Sequence, residues 1–222
     1  MAARNPVMVP LVRVHAVQCW LDLGQHARAQ QALAEVAAAA ELPPRIRARM
    51  ALMQARLARA LGHDPTAALD AALAAAPTNG WPDVLMAVRI ERARLLAGPA
   101  ALAELAEVGA SARQRGLAGI ALAAELRACE IALPQDGPAA ARHARRAGTL
   151  AANAEAVYLP RAERWLWPAR ALLAAGHRDE ALALAEVGQR WLRDCAAQHV
   201  DAAFVDSFLH RNPVHAALLT LA

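Results

Sequence analysis

The helical character of the chain is plainest in one stretch, residues 162–196, which reads AERWLWPARALLAAGHRDEALALAEVGQRWLRDCA. Its first half places apolar or small side chains along one face of a helix, at Trp165, Ala169, Leu172 and Leu173. Its second half repeats that face with Ala181, Leu184, Ala185, Val187 and Leu192. The stretch therefore predicts two consecutive amphipathic helices.

The two predicted helices meet at residues 175–177, Ala-Gly-His. Gly176 lies where the first helix should end, because glycine adopts the left-handed conformation of a helix C-terminus without a Cβ clash. Asp179 and Glu180 then fall in the first turn of the second helix, where the helix dipole favours negative charge. The predicted unit is a helix pair joined by a short glycine turn.

The composition of the whole chain favours the same all-α fold. The 222 residues are 57% hydrophobic, which is enough to bury a large core in one or two domains. Alanine makes up roughly a quarter of the chain, far above ordinary usage. Because alanine has the highest helix propensity and lets helices approach closely, we expect a core of Leu, Val and Ala at close helix contacts.

The charge pattern excludes some classes of partner. The net charge is +4, the chain has no lysine, and no block of five or six basic residues occurs. This pattern does not predict direct nucleic-acid binding by this segment. An arginine-only chain is typical of a GC-rich genome; the functional alternative is a need for bidentate cations that bind carboxylate or phosphate.

The cysteines and the N-terminus favour a cytoplasmic location. Cys19, Cys129 and Cys195 are far apart and form no CxxC pair, which is typical of a reducing compartment. Arg13 and His15 interrupt the apolar N-terminal stretch, so it does not resemble a signal peptide. No run of 18 uncharged apolar residues predicts a membrane span. We therefore expect no membrane partner.

Similar helix pairs follow one another along the chain. Glycine recurs every 36 to 39 residues, at Gly24, Gly62, Gly98, Gly137 and Gly176, and such a period is typical of a solenoid. The predicted units span residues 6–42, 43–80, 81–116, 117–158 and 159–198. Residues 199–222 break the period and predict a C-terminal capping helix pair. On this interpretation residues 1–222 form a single helical repeat domain.

The repeated unit resembles the tetratricopeptide repeat. Its glycine turns match at Leu23-Gly24, Leu61-Gly62, Ala97-Gly98 and Ala175-Gly176, and alanine follows five residues later at Ala29, Ala67, Ala103 and Ala181. Trp165 matches the large residue early in the first helix, and Trp20 the aromatic late in it. The resemblance is to divergent repeats, because the period exceeds the roughly 34 residues of the family. It implies a right-handed α-solenoid of about five helix pairs.

The C-terminal residues 204–222, FVDSFLHRNPVHAALLTLA, carry a narrower resemblance. They resemble the end of the helical-repeat regions of large bacterial signalling ATPases and transcriptional regulators, including the maltose-regulator type. This implies the sensor or scaffold region of a larger protein. The chain contains no GxxxxGK[ST] phosphate loop and no helix-turn-helix pattern.

Alignment of the units on their turn glycines gives a candidate binding groove. The position six residues before the glycine holds Gln18, Arg56, Arg92 and Arg170. Arg127 joins them when the loop of the fourth unit is discounted, and Arg49 and Arg59 share the face of Arg56. A row of guanidiniums along a concave groove would bind an acidic peptide, a C-terminal carboxylate or a phosphate. The alternatives are a solvated helix face or internal pairing with Glu91, Glu125 and Glu163.

Other candidate sites have less support from the sequence. Trp81, in the inter-unit loop PTNGWP, is a candidate contact because tryptophan is enriched at binding hot spots; a core position is the alternative. Cys195 and His199 share a helix face, but no further ligands complete a tetrahedral metal set. No nucleophile–base motif occurs. We therefore expect no catalytic residues, no metal and no cofactor.

These observations predict a non-catalytic protein. Its groove would bind a protein or peptide partner, or another part of its own parent protein. The resemblance to maltose-type regulators implies an alternative, the binding of a small-molecule inducer inside the helical array. A third alternative is a homodimer formed through the apolar tail, with Phe204, Phe208 and Leu209 as contacts.

Overall fold

The computed structural model describes residues 8–38, 42–76 and 82–221, which are helical with short connections and contain no β-strand. The α-helices are α1 (Met8–Asp22), α2 (His26–Ala37), α3 (Pro44–Ala60), α4 (Thr66–Ala75), α5 (Pro82–Arg92), α6 (Gly98–Gln114), α7 (Ala118–Ala132), α8 (Gly137–Ala151), α9 (Glu163–Ala174), α10 (Arg178–His199) and α11 (Pro213–Leu219). The predicted all-α class is confirmed for this part of the chain. Among the helices in these ranges, none combines the length and apolar character that crossing a bilayer requires.

The chain divides into two compact units. The first comprises Met1–Val88 and Asp206–Pro213, and the second comprises Arg89–Val205 and Val214–Ala222. In both, a helix packs mainly on its neighbours along the chain, with additional contacts to the helix after next: α1 on α3 in the first unit and α7 on α9 in the second. Sequential packing of this kind is typical of helical repeats.

The first compact unit contains part of the C-terminal tail as well as the first helices. Ser207 accepts a hydrogen bond at Oγ from Nε2 of Gln25 at 2.7 Å, and Nδ2 of Asn212 donates to the Asp22 carbonyl at 2.9 Å. Gly24, between α1 and α2, has a φ of +67°, and a Cβ there would lie 2.6 Å from the Ser207 carbonyl oxygen. Glycine is therefore required at this turn both by its backbone conformation and by the close approach of the tail.

The second compact unit has an alanine-rich core, as the composition predicts. A buried cluster joins α7, α8, α9 and α10 through small side chains, among them Ala132, Ala140, Ala144, Ala171 and Ala181. The tail helix α11 packs on α10, where Nε2 of Gln189 donates to the carbonyls of Leu218 and Leu221 at 3.0 and 2.9 Å. Small side chains of this kind let the helices pack closely against one another.

The positions of the glycines differ from the expected pattern at two units. Gly24, Gly62 and Gly176 have positive φ and end helices, as predicted. Gly98 and Gly137, by contrast, are the first residues of α6 and α8 and do not have positive φ. The reason is the proline that follows each of them, because proline is favoured in the first helical turn, where no backbone N–H needs an intrahelical acceptor. Gly98 and Gly137 therefore do not occupy the same structural position as the helix-ending glycines, and an alignment on them places the residues of these two units out of register with the others.

Candidate functional site

The aligned polar positions of the first compact unit lie together. Nη1 of Arg56, on α3, donates to Oε1 of Gln18, on α1, at 2.8 Å, and Nε2 of Gln18 donates to Asp22 at 2.9 Å. Arg56 is only 6% exposed. Arg49 and Arg59, on the same helix, are half-buried. The first two members of the predicted row, Gln18 and Arg56, therefore contact each other between equivalent helices.

The aligned arginines of the second compact unit have three different environments. Arg92, at the end of α5, is exposed. Arg170 is half-buried, and its guanidinium carbon lies 5.3 Å from the centre of the Trp167 ring, within range of a cation–π interaction. Arg127 is completely buried at 0% exposure. Arg127 therefore lies inside the unit, where its guanidinium has no surface to offer a partner.

Arg127 is the centre of a buried ion cluster. Its Nη2 lies 3.1 Å from Oε2 of Glu163 and 3.4 Å from Oε1 of Glu91, and its Nη1 donates to Glu130. Burial acts to lower the pKa of Arg127, but the three carboxylates outweigh it and raise that pKa further above its usual range. For Arg127, the internal pairing that the sequence left open as an alternative is what the structure shows.

The buried cluster also contains a residue pair that the sequence analysis missed. Nη2 of Arg94 donates to Oε2 of Glu130 at 2.6 Å, and the two residues are 36 positions apart. Arg127 and Glu91 have the same separation of 36. Opposite charges one repeat apart therefore mark contacts between equivalent helices, and this spacing was visible in the sequence.

A first groove opens between α6 and α8, with α7 as its floor, and encloses a cavity of about 490 Å³. We call it the polar groove, because four of its lining side chains are charged or titratable: Arg113, Glu125, His143 and Arg146. Apolar and small residues complete it, among them Leu105, Ala106 and Leu150. The sequence analysis named only Glu125 here, and only as a partner for an internal ion pair.

Glu125 is the electrostatic centre of the polar groove. Its Oε2 lies 2.8 Å from Nδ1 of His143 and accepts from Nε of Arg146 at 3.1 Å, while its Oε1 lies 3.8 Å from Nη1 of Arg113. Burial acts to raise the pKa of Glu125, but the hydrogen bonds from His143 and Arg146 outweigh it and hold that pKa below its usual range. Two arginines face this one carboxylate, so the groove has a positive charge in excess.

The imidazole of His143 has two competing neighbours. Its Nδ1 lies 2.8 Å from the Glu125 carboxylate and 2.7 Å from Nη2 of Arg146. Nδ1 needs a proton to donate to the carboxylate and a lone pair to accept from the guanidinium, so both hydrogen bonds cannot form at once. When Nδ1 donates to Glu125, Nε2 is the acceptor nitrogen of the neutral ring and lies 3.4 Å from Nη2 of Arg146, a long contact that a nearer acceptor can replace.

A second groove opens between α8 and α10, with α9 as its floor, and encloses a cavity of about 630 Å³. We call it the apolar groove, because Trp165, Pro168 and Leu172 form most of its floor, beside Arg164, and its walls are mainly small or aliphatic: Ala144, Gly148, Ala151, Ala183, Leu184 and Val187. Val187 is 50% exposed although it is a large apolar residue. Charged side chains, including Arg145 and Glu180, border the groove.

The two grooves occupy equivalent places in successive helix pairs. His143 and Arg146 are the seventh and tenth residues of α8, and Leu184 and Val187 are the seventh and tenth residues of α10. The first pair faces the polar groove and the second pair faces the apolar groove. Helix α8 supplies one wall to each, because its two sides face opposite neighbours.

The remaining candidates of the sequence analysis lie elsewhere. Trp81 lies outside the described residues. Cys195 is half-buried and His199 is exposed, and the described ranges hold no group of three or more His, Cys, Asp or Glu side chains placed to bind a metal. Phe208 is buried, whereas Phe204 and Leu209 are half-buried.

The buried thiol of Cys129 is held in its neutral form. Its Sγ donates to the Trp167 carbonyl at 3.3 Å, and burial raises the pKa of the thiol to about 12. Because the thiolate is the nucleophilic form, this cysteine is placed for packing.

Comparison with known proteins gives no relative. No protein-family model matches the chain, and neither does any curated protein or solved structure.

Proposed function

We propose that this chain is a non-catalytic interaction domain that binds an amphipathic helix of a protein partner in the apolar groove. The observation that supports this is the half-exposed Val187 in a groove with an apolar floor. Contiguous apolar surface of this kind is typical of interaction sites. Gly148, on the opposite wall, would have no atom within 4 Å of an added Cβ, so a partner helix has room to approach.

The charges beside the groove indicate the chemistry of the partner. Two arginines, Arg145 on α8 and Arg164 on α9, line the groove together with one carboxylate, Glu180. Arg145 has a weak contact, 3.5 Å from Oε2 of Glu180, and both side chains are about half exposed. Such a loose surface pair is easily exchanged for a partner's carboxylate. The partner helix is therefore acidic along the edge that lies next to α8.

The experiment is a selection from a displayed library of amphipathic helical peptides, followed by measurement of the Kd of the best binders. We expect acidic peptides with apolar anchors, and we expect Val187→Glu to weaken their binding by about tenfold or more, since it buries an unpaired charge at the anchor site. The matched control is Val12→Glu, at an exposed valine of the first compact unit. Equal loss in both variants, or binders without acidic residues, would contradict the proposal.

The biological setting remains a proposal that rests on the resemblance of the sequence. A tetratricopeptide-like array of about five helix pairs, in a bacterial signalling protein or transcriptional regulator, would use the groove to contact a partner or another part of its parent protein. In this proposal the apolar groove takes the role that the sequence analysis gave to the row of arginines. Arg56 and Arg127, both buried, are instead paired inside the helix packing, with Gln18 and with Glu163.

The second candidate function is the sensing of a small-molecule inducer. One observation favours it: the polar groove combines charged and apolar lining in a cavity of about 490 Å³, within the size range of small-ligand sites. A thermal-shift screen of metabolites tests it, because a ligand of the folded state must raise the unfolding temperature.

A further inference from the structure

The polar groove offers hydrogen-bond donors and apolar surface to the same ligand. We propose that it binds a carboxylate that carries a short apolar group. The carboxylate lies between the guanidiniums of Arg113 and Arg146, and the apolar group lies toward Leu105, Ala106 and Leu150. This goes beyond helix binding in the apolar groove, and it names a ligand chemistry for the second candidate function.

The charge of the groove favours an anion. Arg113 and Arg146 carry two positive charges, and Glu125 is the one carboxylate among the lining residues. The low pKa of Glu125 keeps it ionised near neutral pH, so one positive charge remains uncompensated even when His143 is neutral. A ligand carboxylate therefore brings the lining to neutrality, and Glu125 already holds Arg146 in the groove by accepting from its Nε.

The geometry leaves donors available on both arginines. Arg146 uses Nε for Glu125, and its Nη2 competes with that carboxylate for Nδ1 of His143. A ligand oxygen that accepts from Nη2 ends this competition, and Nδ1 of His143 then donates to Glu125. Arg113 is about half exposed and lies 3.8 Å from Glu125, beyond hydrogen-bond distance. Both guanidiniums can therefore turn to one ligand carboxylate.

The apolar part of the lining selects against inorganic anions. Leu105 is buried in α6, Ala106 is exposed beside it, and Leu150 closes the opposite wall. Burial of a short alkyl chain against these residues adds a favourable free energy that chloride or phosphate lacks. The apolar groove has Leu184 and Val187 in place of His143 and Arg146, and its own two arginines, Arg145 and Arg164, pair with Glu180 and Glu155.

The experiment is a titration of ¹⁵N-labelled protein with hexanoate, followed through the Nε–H signals of arginine. Hexan-1-ol at the same concentrations and sodium chloride at the same ionic strength serve as controls. We expect saturable binding of hexanoate that shifts the Arg113 and Arg146 signals, with much weaker binding of the alcohol. Arg146→Gln should lower the affinity by about tenfold or more, since it removes a charge-assisted hydrogen bond.

Two matched pairs of variants test the location. Arg142→Gln removes the same charge from the same helix at an exposed residue outside the groove lining, and it should leave the affinity unchanged. Ala106→Glu should abolish binding, because its own carboxylate would occupy the arginines, whereas Ala106→Gln has a similar size and no charge. Equal effects within either pair, or equal binding of hexanol and hexanoate, would overturn the proposal.

A further pair of ligands distinguishes a free acid from the C-terminus of a peptide. An acetylated tetrapeptide ending in leucine is compared with its C-terminal amide. Tighter binding of the free-acid peptide than of hexanoate assigns the site to a chain terminus, and the reverse assigns it to a small acid. Val187→Glu alters only the apolar groove, so we expect it to leave hexanoate binding intact. Helix binding and hexanoate binding can therefore fail independently of each other.

Discussion

The polar and apolar grooves have the same helix arrangement and differ at two equivalent positions of one wall. Each lies between two helices that are next-but-one along the chain, and the helix between them forms its floor. In each groove, the later of the two wall helices contributes its seventh and tenth residues to the lining. In α8 these are His143 and Arg146; in α10 they are Leu184 and Val187. At these two equivalent wall positions, His and Arg in one repeat are replaced by aliphatic residues in the next while the helix arrangement is kept. In a helical array, the frame and the specificity are encoded by different residues.

The floors of the two grooves are connected by the buried ion cluster. Arg127, on α7, pairs with Glu163, on α9, and with Glu91. The cluster fixes one floor helix relative to the other, because a buried guanidinium must keep its carboxylates within reach.

The largest expected effect is that of Arg127→Leu on stability. It leaves Glu91 and Glu163 buried with much less compensation, so we expect a loss of about 3–5 kcal/mol in the free energy of unfolding. Urea unfolding followed by circular dichroism measures it. Arg113→Leu, at the exposed rim of the polar groove, is the control and should change stability by less than about 0.5 kcal/mol. A loss below about 1 kcal/mol for Arg127→Leu would show that the cluster does not support the floors.

The next effect separates a wall glycine that packs on the floor of the apolar groove, Gly188, from one that faces open space, Gly148. A Cβ on Gly188 would lie 2.7 Å from Cβ of Trp165 and 2.9 Å from Cδ2 of Leu218, so Gly188→Ala should cost about 1–3 kcal/mol of unfolding free energy. Gly148→Ala, in the wall and with nothing within 4 Å, should instead gain about 0.5–1 kcal/mol because alanine is the better helix former. Thermal unfolding of both variants measures the contrast, and changes of the same sign would contradict it.

Conversion of the polar groove into a copy of the apolar groove tests whether the wall residues decide what binds. The triple variant Glu125→Gln, His143→Leu, Arg146→Val gives the polar groove the wall residues of its neighbour and removes the central carboxylate. We expect the free energy of unfolding to change by less than about 1.5 kcal/mol, since a paired charge set is replaced as a whole. Hexanoate binding should disappear. Calorimetry with an acidic helical peptide should show a second binding site, and an unchanged stoichiometry would mean that the lining does not decide specificity.

The smallest expected effect is the pH dependence that Glu125 contributes. Its pKa is lower in the folded protein than its ordinary value of about 4.5. A depressed carboxyl pKa stabilises the fold above the unfolded value, and the contribution is lost as the pH falls through the folded value. The stability difference between the wild type and Glu125→Gln should therefore shrink below about pH 4.5 in urea unfolding at several pH values. A constant difference would contradict this assignment.

Much of the fold could be predicted from local sequence. The apolar spacing of residues 162–196 predicts α9 and α10, and Gly176 ends α9 with a φ of +82°. These features depend on contacts within three or four residues and on the backbone freedom of one residue. The shifted alignment at Gly98 and Gly137 has a local cause too, because the proline after each glycine already indicated a helix start.

The candidate site was predicted less well, for a physical reason. The alignment brought Gln18 and Arg56 to one position, and they are in contact. It also placed Arg127 in an exposed row, whereas this residue is enclosed by carboxylates from other helices. Whether an arginine is solvated depends on what packs over it, and helix periodicity does not contain that information.

Propensities and spacings within a few turns are enough to predict an all-α fold of helix pairs, several of them joined at a glycine, because helix formation depends on local contacts. The tertiary structure decided which charges are buried and which line a groove. Arg113, Glu125 and Arg146 come from three different helices and meet only when α6, α7 and α8 pack. The chemistry of the grooves is therefore a property of helix packing and cannot be assigned to any one segment.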